Sequence, residues 1–193
     1  GLAIRDLTFP DIAPKPLVRT LFHGYYNDVP LGADYYSGNT KIEIPGKMNI
    51  TDLEPAQEVT IRHTDEGTVI SGHMETSAGT IEKKLTFKPS IPSVSLAYTF
   101  NLTVQPPLSF RTGNVTLNPE AFALDELFYR THNGGTSPET FLLAKESEID
   151  VRPLNVLCSA RTALGNTTGL FEMGDASGLV WIKTLMEELA AVP

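Results

Sequence analysis

Residues 93–102 read Ser-Val-Ser-Leu-Ala-Tyr-Thr-Phe-Asn-Leu, in which apolar residues alternate strictly with small or polar ones. A side-chain period of two is typical of a β-strand with one face on a core and the other in solvent. Residues 80–88 alternate in the same way. The intervening residues 89–92, Pro-Ser-Ile-Pro, form a turn because proline fixes φ and withholds a backbone donor. Together the two stretches predict a long antiparallel hairpin.

The rest of the chain continues this strand-and-turn pattern. Asp65-Glu-Gly67 between two alternating stretches predicts a hairpin turn, since glycine adopts positive φ readily. Helix signals are confined to 121–128, which forms two helical turns or a loop into a strand, and to 183–192. The fold class is therefore all-β, an antiparallel β-supersandwich with at most short helices. Further strands are predicted at 41–44, 59–63, 69–75, 115–117, 141–143, 149–151 and 179–182.

The length of 193 residues suits a single β-sandwich domain covering residues 1–193. A leading glycine and an abrupt Ala-Val-Pro ending favour a domain excised from a longer chain. A net charge of −8 without Lys/Arg clusters predicts no nucleic-acid partner and no anionic membrane partner. No apolar run approaches the ~20 residues of a membrane span. Compartment is left open, with the cytoplasm slightly favoured.

Motifs for metal, cofactor or nucleophile chemistry are missing from the sequence. Cys158 is the single cysteine, so no internal disulfide forms, and no Cys-rich or His-x-His spacing indicates a metal. Phosphate-binding loops, dinucleotide fingerprints and nucleophile elbows do not occur. No cofactor and no metal site is predicted.

Residues 23–38 are the most unusual stretch by composition, with four of the six tyrosines in a glycine-punctuated region. Aromatic rings stack on sugar C–H surfaces, while carboxylates and amides bind sugar hydroxyls. This stretch therefore predicts carbohydrate contact; the alternative is a packed loop that plugs one end of the sandwich. The candidate carbohydrate-binding residues are Tyr25, Tyr26, Asp34, Tyr35 and Tyr36.

Three other groups carry weaker signals. The acids and histidine of 120–133, among them Glu120 and His132, suggest acid–base chemistry, but a polar loop is favoured. His63 and His73 lie in neighbouring predicted strands and face each other if the register allows, as a plain pair or a partial metal site. Lys83 sits on the apolar side of its strand, where its stem follows the core edge or its amine enters a ligand groove.

The chain resembles the galactose-mutarotase-like supersandwich, and more particularly the C-terminal β-domains of family fifty-seven and family thirty-eight glycoside hydrolases. The resemblance rests on loose strand-and-turn patterns spread over most of the chain. The segments that carry it are Leu31–Gly38, Thr80–Phe87, Ser93–Leu102, Asn118–Phe122, Thr131–Gly135 and Gly169–Asp175.

The resemblance implies a non-catalytic, carbohydrate-associated domain whose partner is an oligosaccharide, a polysaccharide or an adjacent catalytic domain. Mutarotases of this fold are enzymes that use one Glu and two His residues. This family pattern cannot be matched motif by motif here, although an aldose epimerase using His23, Glu120 and His132 is kept as the enzyme alternative. A purely structural interdomain module is the third hypothesis.

Overall fold

The computed structural model describes residues 1–20, 36–44, 46–103, 109–143, 168–169, 171–176 and 181–184. Strand makes up 49% of these described residues, and no helix among them reaches seven residues. The predicted antiparallel all-β fold with short helices is therefore confirmed. Within the same residues, no helix combines the length and the hydrophobicity that a membrane span requires.

The described strands lie in two compact units. Unit 1 comprises Gly1–Phe9 and Pro16–Asn118, and unit 2 comprises Pro10–Lys15 and Pro119–Pro193. The single-domain boundary of 1–193 stays a prediction. The strands are β1 (Asp6–Leu7), β2 (Val18–Arg19), β3 (Thr40–Glu43), β4 (Ile50–Thr51), β5 (Gln57–Thr64), β6 (Gly67–Thr76), β7 (Gly79–Phe87), β8 (Val94–Leu102), β9 (Ser109–Thr112), β10 (Phe128–Thr131), β11 (Glu139–Leu142), β12 (Phe171–Gly174) and β13 (Trp181–Thr184).

Unit 1 is built around the antiparallel meander β5-β6-β7-β8, in which each strand pairs with the next one in sequence. The predicted hairpin is its β7–β8 pair, with a continuous register from Gly79 opposite Leu102 to Phe87 opposite Val94. Strands β4-β3-β9 form a second sheet, and β1-β2 a small third sheet. The strand predicted at 115–117 is wrong, since there the structure has only a single bridge from Leu117 to Val18.

The core of unit 1 lies between its two larger sheets. Ile42 of β3, Met74 of β6 and Ile81 of β7 are each 0% exposed and belong to one cluster. Partly buried Tyr98 and Phe100 of β8 pack against this cluster, with their rings stacked 5.9 Å apart. Burial alternates along β8 as the sequence predicts. The β-sandwich-like arrangement thus follows from burying the apolar face of each sheet.

The β5–β6 hairpin turn confirms the Asp65-Glu66-Gly67 prediction. Gly67 begins β6 with φ of +134°, a backbone conformation that is essentially restricted to glycine. A Cβ at this position would collide with the carbonyl oxygen of Phe87 on the neighbouring strand. The turn therefore requires glycine for both conformation and space.

We expect Gly67→Ala to lower the free energy of unfolding by about 1–3 kcal/mol, because the substitution combines a strained φ with a backbone clash. Urea denaturation followed by circular dichroism measures the change. Gly46→Ala is the control, since Gly46 also has positive φ, at +75°, but has no atom within 4 Å of an added Cβ. Equal losses in the two variants would contradict the role of the Phe87 contact.

Unit 2 contains the antiparallel sheet β11-β10-β12-β13. Residues 121–128 contain the end of one 3₁₀ turn (Pro119–Ala121), a second such turn (Leu124–Glu126) and the first residue of β10, so the loop-into-strand alternative is the one observed. The amide of Ala123 between the turns donates to the Asp175 carboxylate at 2.8 Å. The strand predicted at 149–151 and most of the helix predicted at 183–192 lie outside the described residues.

Candidate functional site

The solvent side of strands β6, β7 and β8 carries a cluster of polar side chains. We name His73, Glu75, Thr80, Glu82 and Asn101 the polar face. His73 is opposite Glu82, Glu75 is opposite Thr80, and Thr80 is opposite Asn101, so the five positions form adjoining cross-strand pairs. Alternation places them here, because the residues between them in these strands, such as Met74, Ile81 and Phe100, are turned to the core.

The polar face is held together by hydrogen bonds across the strands. The Thr80 hydroxyl donates to the Glu75 carboxylate, with both oxygens at 3.1 Å. The Asn101 amide donates to Glu82 Oε1, also at 3.1 Å. His73 Nε2 lies 3.7 Å from Glu75 Oε1. The two carboxylates are therefore fixed in position while Glu75, Glu82 and Asn101 remain exposed.

Chemically, the polar face offers hydrogen-bond acceptors and donors in close alternation. Carboxylates accept, the Asn101 side chain both donates and accepts, and each imidazole nitrogen donates or accepts according to the tautomer. A ligand rich in hydroxyl groups matches this set, because each hydroxyl needs both kinds of partner. Among the described residues, no group of three or more His, Cys, Asp and Glu side chains is arranged to hold a metal ion.

Beneath the same sheet lies a buried ion pair. Lys83 Nζ is 2.7 Å from Asp52 Oδ2, and both side chains are 0% exposed. The amine also donates to the Gly1 carbonyl at 2.7 Å and lies 5.7 Å from the centre of the Tyr98 ring. The Thr40 backbone amide donates to Asp52 Oδ1 at 2.9 Å. Neither alternative predicted for Lys83 is right, since its amine reaches neither solvent nor a ligand groove.

Burial shifts the pKa values of Lys83 and of the neighbouring Tyr98. Desolvation lowers the pKa of Lys83, and the attraction of Asp52 opposes that shift. Burial likewise raises the pKa of Tyr98, whose hydroxyl donates to the Gly38 carbonyl at 2.9 Å. The cluster therefore connects β7, β8 and the neighbouring loops of unit 1 through charge and hydrogen bonds.

The predicted carbohydrate-binding loops fall mostly outside the described residues. His23, Tyr25, Tyr26, Asp34 and Tyr35 belong to this part of the chain, and their roles stay predictions. Tyr36 is described and half-buried; its carbonyl accepts from the Asn39 amide at 3.2 Å.

The two candidate epimerase residues of unit 2, Glu120 and His132, contact different side chains. Glu120 lies in the first 3₁₀ turn, with its carboxylate 4.0 Å from the Lys15 amine. His132 follows β10, and its Nδ1 lies 3.3 Å from the Thr168 hydroxyl. These contacts do not join Glu120 to His132, and His23 is outside the described residues, so the epimerase set stays a prediction.

The predicted pairing of His63 with His73 is wrong. His63 is opposite Thr68, and its Nδ1 is 3.0 Å from the Thr68 hydroxyl. His73 is opposite Gln57 on one side and Glu82 on the other. The hairpin turn sets this register, so residues equally distant from the turn meet and the two histidines do not.

Asp52 was missed by sequence reasoning altogether. It lies just after the two-residue strand β4, in a stretch without alternation, so no local pattern marks it as buried. One signal in the sequence pointed to such a residue: Lys83 occupies a position of its strand where the alternation expects an apolar side chain. A lysine buried at such a position requires a partner of opposite charge.

No family model matches this chain, and no curated protein and no solved structure matches it either. The resemblance to the supersandwich domains of glycoside hydrolases stays a prediction.

Proposed function

We propose that this chain is a non-catalytic, carbohydrate-associated β-sandwich domain of a glycoside hydrolase-like protein. The observation that carries the proposal is the polar face, where carboxylate, amide, hydroxyl and imidazole groups lie on adjoining strands. Two of the segments that carry the family resemblance, Thr80–Phe87 and Ser93–Leu102, correspond to the strands β7 and β8, which hold three of the five residues of this surface. An adjacent catalytic domain is the second partner that the resemblance implies.

A non-catalytic role agrees with where the charged groups lie in unit 1. Lys83 has a perturbed pKa and a charged partner, the combination often found in catalytic sites. A catalytic group has to reach its substrate, however, and the side chains of Lys83 and Asp52 are both sealed from solvent. On the polar face, Glu75 and Glu82 already accept hydrogen bonds from neighbouring side chains, which suits them to orient hydroxyl groups.

The composition of the polar face implies weak binding. Its five residues include no Phe, Tyr or Trp, so the large-ring stacking typical of tight sugar sites is missing from this surface. Exposed hydrogen bonds replace bonds to water and contribute little each. The tyrosine loops of residues 23–38 are kept in the proposal as a second region of sugar contact.

Amide NMR of the labelled chain, titrated with maltooligosaccharides, tests the proposal. We expect saturable shifts at the amides around Glu82 and Asn101, with millimolar affinity. Asn101→Ala should weaken binding about threefold to tenfold, since it removes one hydrogen-bonding side chain. Ser95→Ala on the same face of β8 is the matched control and should leave binding unchanged.

The same samples test catalysis. Anomer exchange of glucose and galactose, observed in the sugar resonances, should proceed at the rate of the buffer blank. Exchange faster than the blank would establish the epimerase alternative and end the non-catalytic proposal. Amides of β7 and β8 that stay unmoved at millimolar sugar would overturn carbohydrate binding by the polar face.

A further inference from the structure

The outer edge of the four-stranded sheet is a strand with exposed apolar side chains. Among the described strands β5 pairs only with β6, and all eight of its residues are exposed. Val59 is 49% exposed and Ile61 is 62% exposed. Ile61 lies opposite Ile70, and a Cβ at Gly72 would lie 3.3 Å from Val59, which places both side chains on the apolar side of the sheet. Such an edge is a template for another strand.

The sequence of β5 is self-complementary about Thr60. Val59 and Ile61 flank this residue, and Glu58 and Arg62 stand two positions before and after it. A two-fold axis perpendicular to the sheet at Thr60 pairs two copies of the strand antiparallel. Val59 of each copy is then opposite Ile61 of the other, and Glu58 is opposite Arg62.

We propose that β5 is an interface between two copies of this chain, paired antiparallel about Thr60. The pairing extends the sheet from four strands to eight and covers the exposed Val59 and Ile61 side chains with each other. It also forms two intermolecular ion pairs between Glu58 and Arg62. Within the described residues neither of these two side chains has an ion-pair partner, so both charges are available for this contact.

Charge selects this register over its neighbours. Pairing centred on Arg62 would set the two Arg62 side chains opposite each other, and like charges directly opposite are unfavourable. Pairing centred on Ile61 would place Arg62 opposite Thr60 and Glu58 opposite Thr64, leaving both charges without an opposite partner. The register centred on Thr60 alone matches both the apolar and the charged positions.

A bulge limits the length of the interface. The register against β6 shifts between Gln57 and Thr60, and Glu58 has a positive φ of 49°. A bulge bends a strand and interrupts its regular ladder, so the ladder between the two copies covers Val59, Thr60 and Ile61, and Glu58 at the bulge contributes only its side-chain charge to the contact with Arg62. We therefore expect a weak dimer whose population depends on protein concentration.

The proposal is tested by reversing the charges of Glu58 and Arg62 and measuring dimerisation by sedimentation velocity across a concentration series. The wild-type chain should dimerise, whereas Arg62→Glu and Glu58→Arg alone should each weaken dimerisation at least about tenfold, because both symmetric pairs become repulsive. An equimolar mixture of the two variants should form heterodimers, since one copy then carries two acids and the other two arginines. The double variant Glu58→Arg/Arg62→Glu should dimerise like the wild type.

Lys84→Glu is the matched control, with the same change of charge on the exposed face of β7, away from the edge. It should leave the dissociation constant within about twofold of wild type, because it lies outside the contact. A wild-type chain that stays monomeric at millimolar concentration would overturn the proposal. Single variants that dimerise as strongly as the wild type would overturn it equally.

Discussion

Replacing Asp52 with alanine is expected to lower the free energy of unfolding by about 3–5 kcal/mol, because it leaves Lys83 charged and unpaired inside unit 1. The amine and the carboxylate are 2.7 Å apart and 0% exposed, so water cannot take over the role of the lost partner. The substitution also removes the acceptor of the Thr40 amide. Guanidinium denaturation measures the loss.

Two variants separate charge from packing at this position. Asp52→Asn keeps an acceptor for the Thr40 amide and nearly the same volume. It should still show most of the loss in free energy of unfolding that is expected for Asp52→Ala. Lys83→Met combined with Asp52→Asn removes both charges and should return to within about 2 kcal/mol of wild type. An Asp52→Asn chain as stable as wild type would show that the ion pair does not matter.

The pH dependence of the Asp52→Ala variant follows from the lowered pKa of Lys83. Without Asp52, the attraction that opposes the desolvation of Lys83 is lost and its pKa in the folded variant falls further, while in the unfolded chain Lys83 has its ordinary pKa of 10.5. Between the two pKa values the unfolded state binds more protons, so stability rises with pH. The difference in free energy of unfolding between the wild type and the variant should therefore become smaller as the pH rises towards 10.5. A difference that stays constant with pH would indicate that the loss comes from packing.

The second large effect is expected at the centre of the sandwich core. Ile81→Ala should lower the free energy of unfolding by about 3 kcal/mol, within the range of about 2–5 kcal/mol for cavity-forming substitutions. Ile81 is 0% exposed and clusters with Ile42 and Met74, which belong to strands of both large sheets. The cavity would therefore loosen contacts on both sides of the core.

Ile91→Ala provides the control for this substitution. Ile91 lies in the turn between β7 and β8 and is 53% exposed, so the same side-chain truncation should change stability by no more than about 0.5 kcal/mol. Thermal and urea unfolding of both variants give the comparison. Similar losses at the two positions would show that the core does not lie where these residues place it.

The sequence predicts the meander well because its information is local. Alternation marks β7 and β8 residue by residue, and a glycine of special φ marks the turn into β6. The polar face follows from the same alternation, since Glu82 and Asn101 occupy the solvent side of their strands. Contacts between distant segments leave no such trace. Strand β3 pairs with β9 across an interval that contains the whole meander, and the partner of Lys83 comes from a loop.

The histidine pair illustrates a second limit. Alternation places a residue on a face, but the partner opposite it depends on the turn and on any bulge. The shift between Gln57 and Thr60 changes the register of β5 in a way that its composition does not signal. The register between β5 and β6 is therefore visible only in the structure.

The order of pairing in unit 1 has a consequence for how the chain reaches its native state. Three successive hairpins join β5 to β8, and each closes a short loop, whereas β3 and β9 are brought together from opposite ends of that segment. Loop closure loses more entropy as the separation grows, and nearby contacts form faster than distant ones. We therefore expect the meander to form first during folding. Once it has formed, β3 and β9, which flank it in sequence, are close enough to pair.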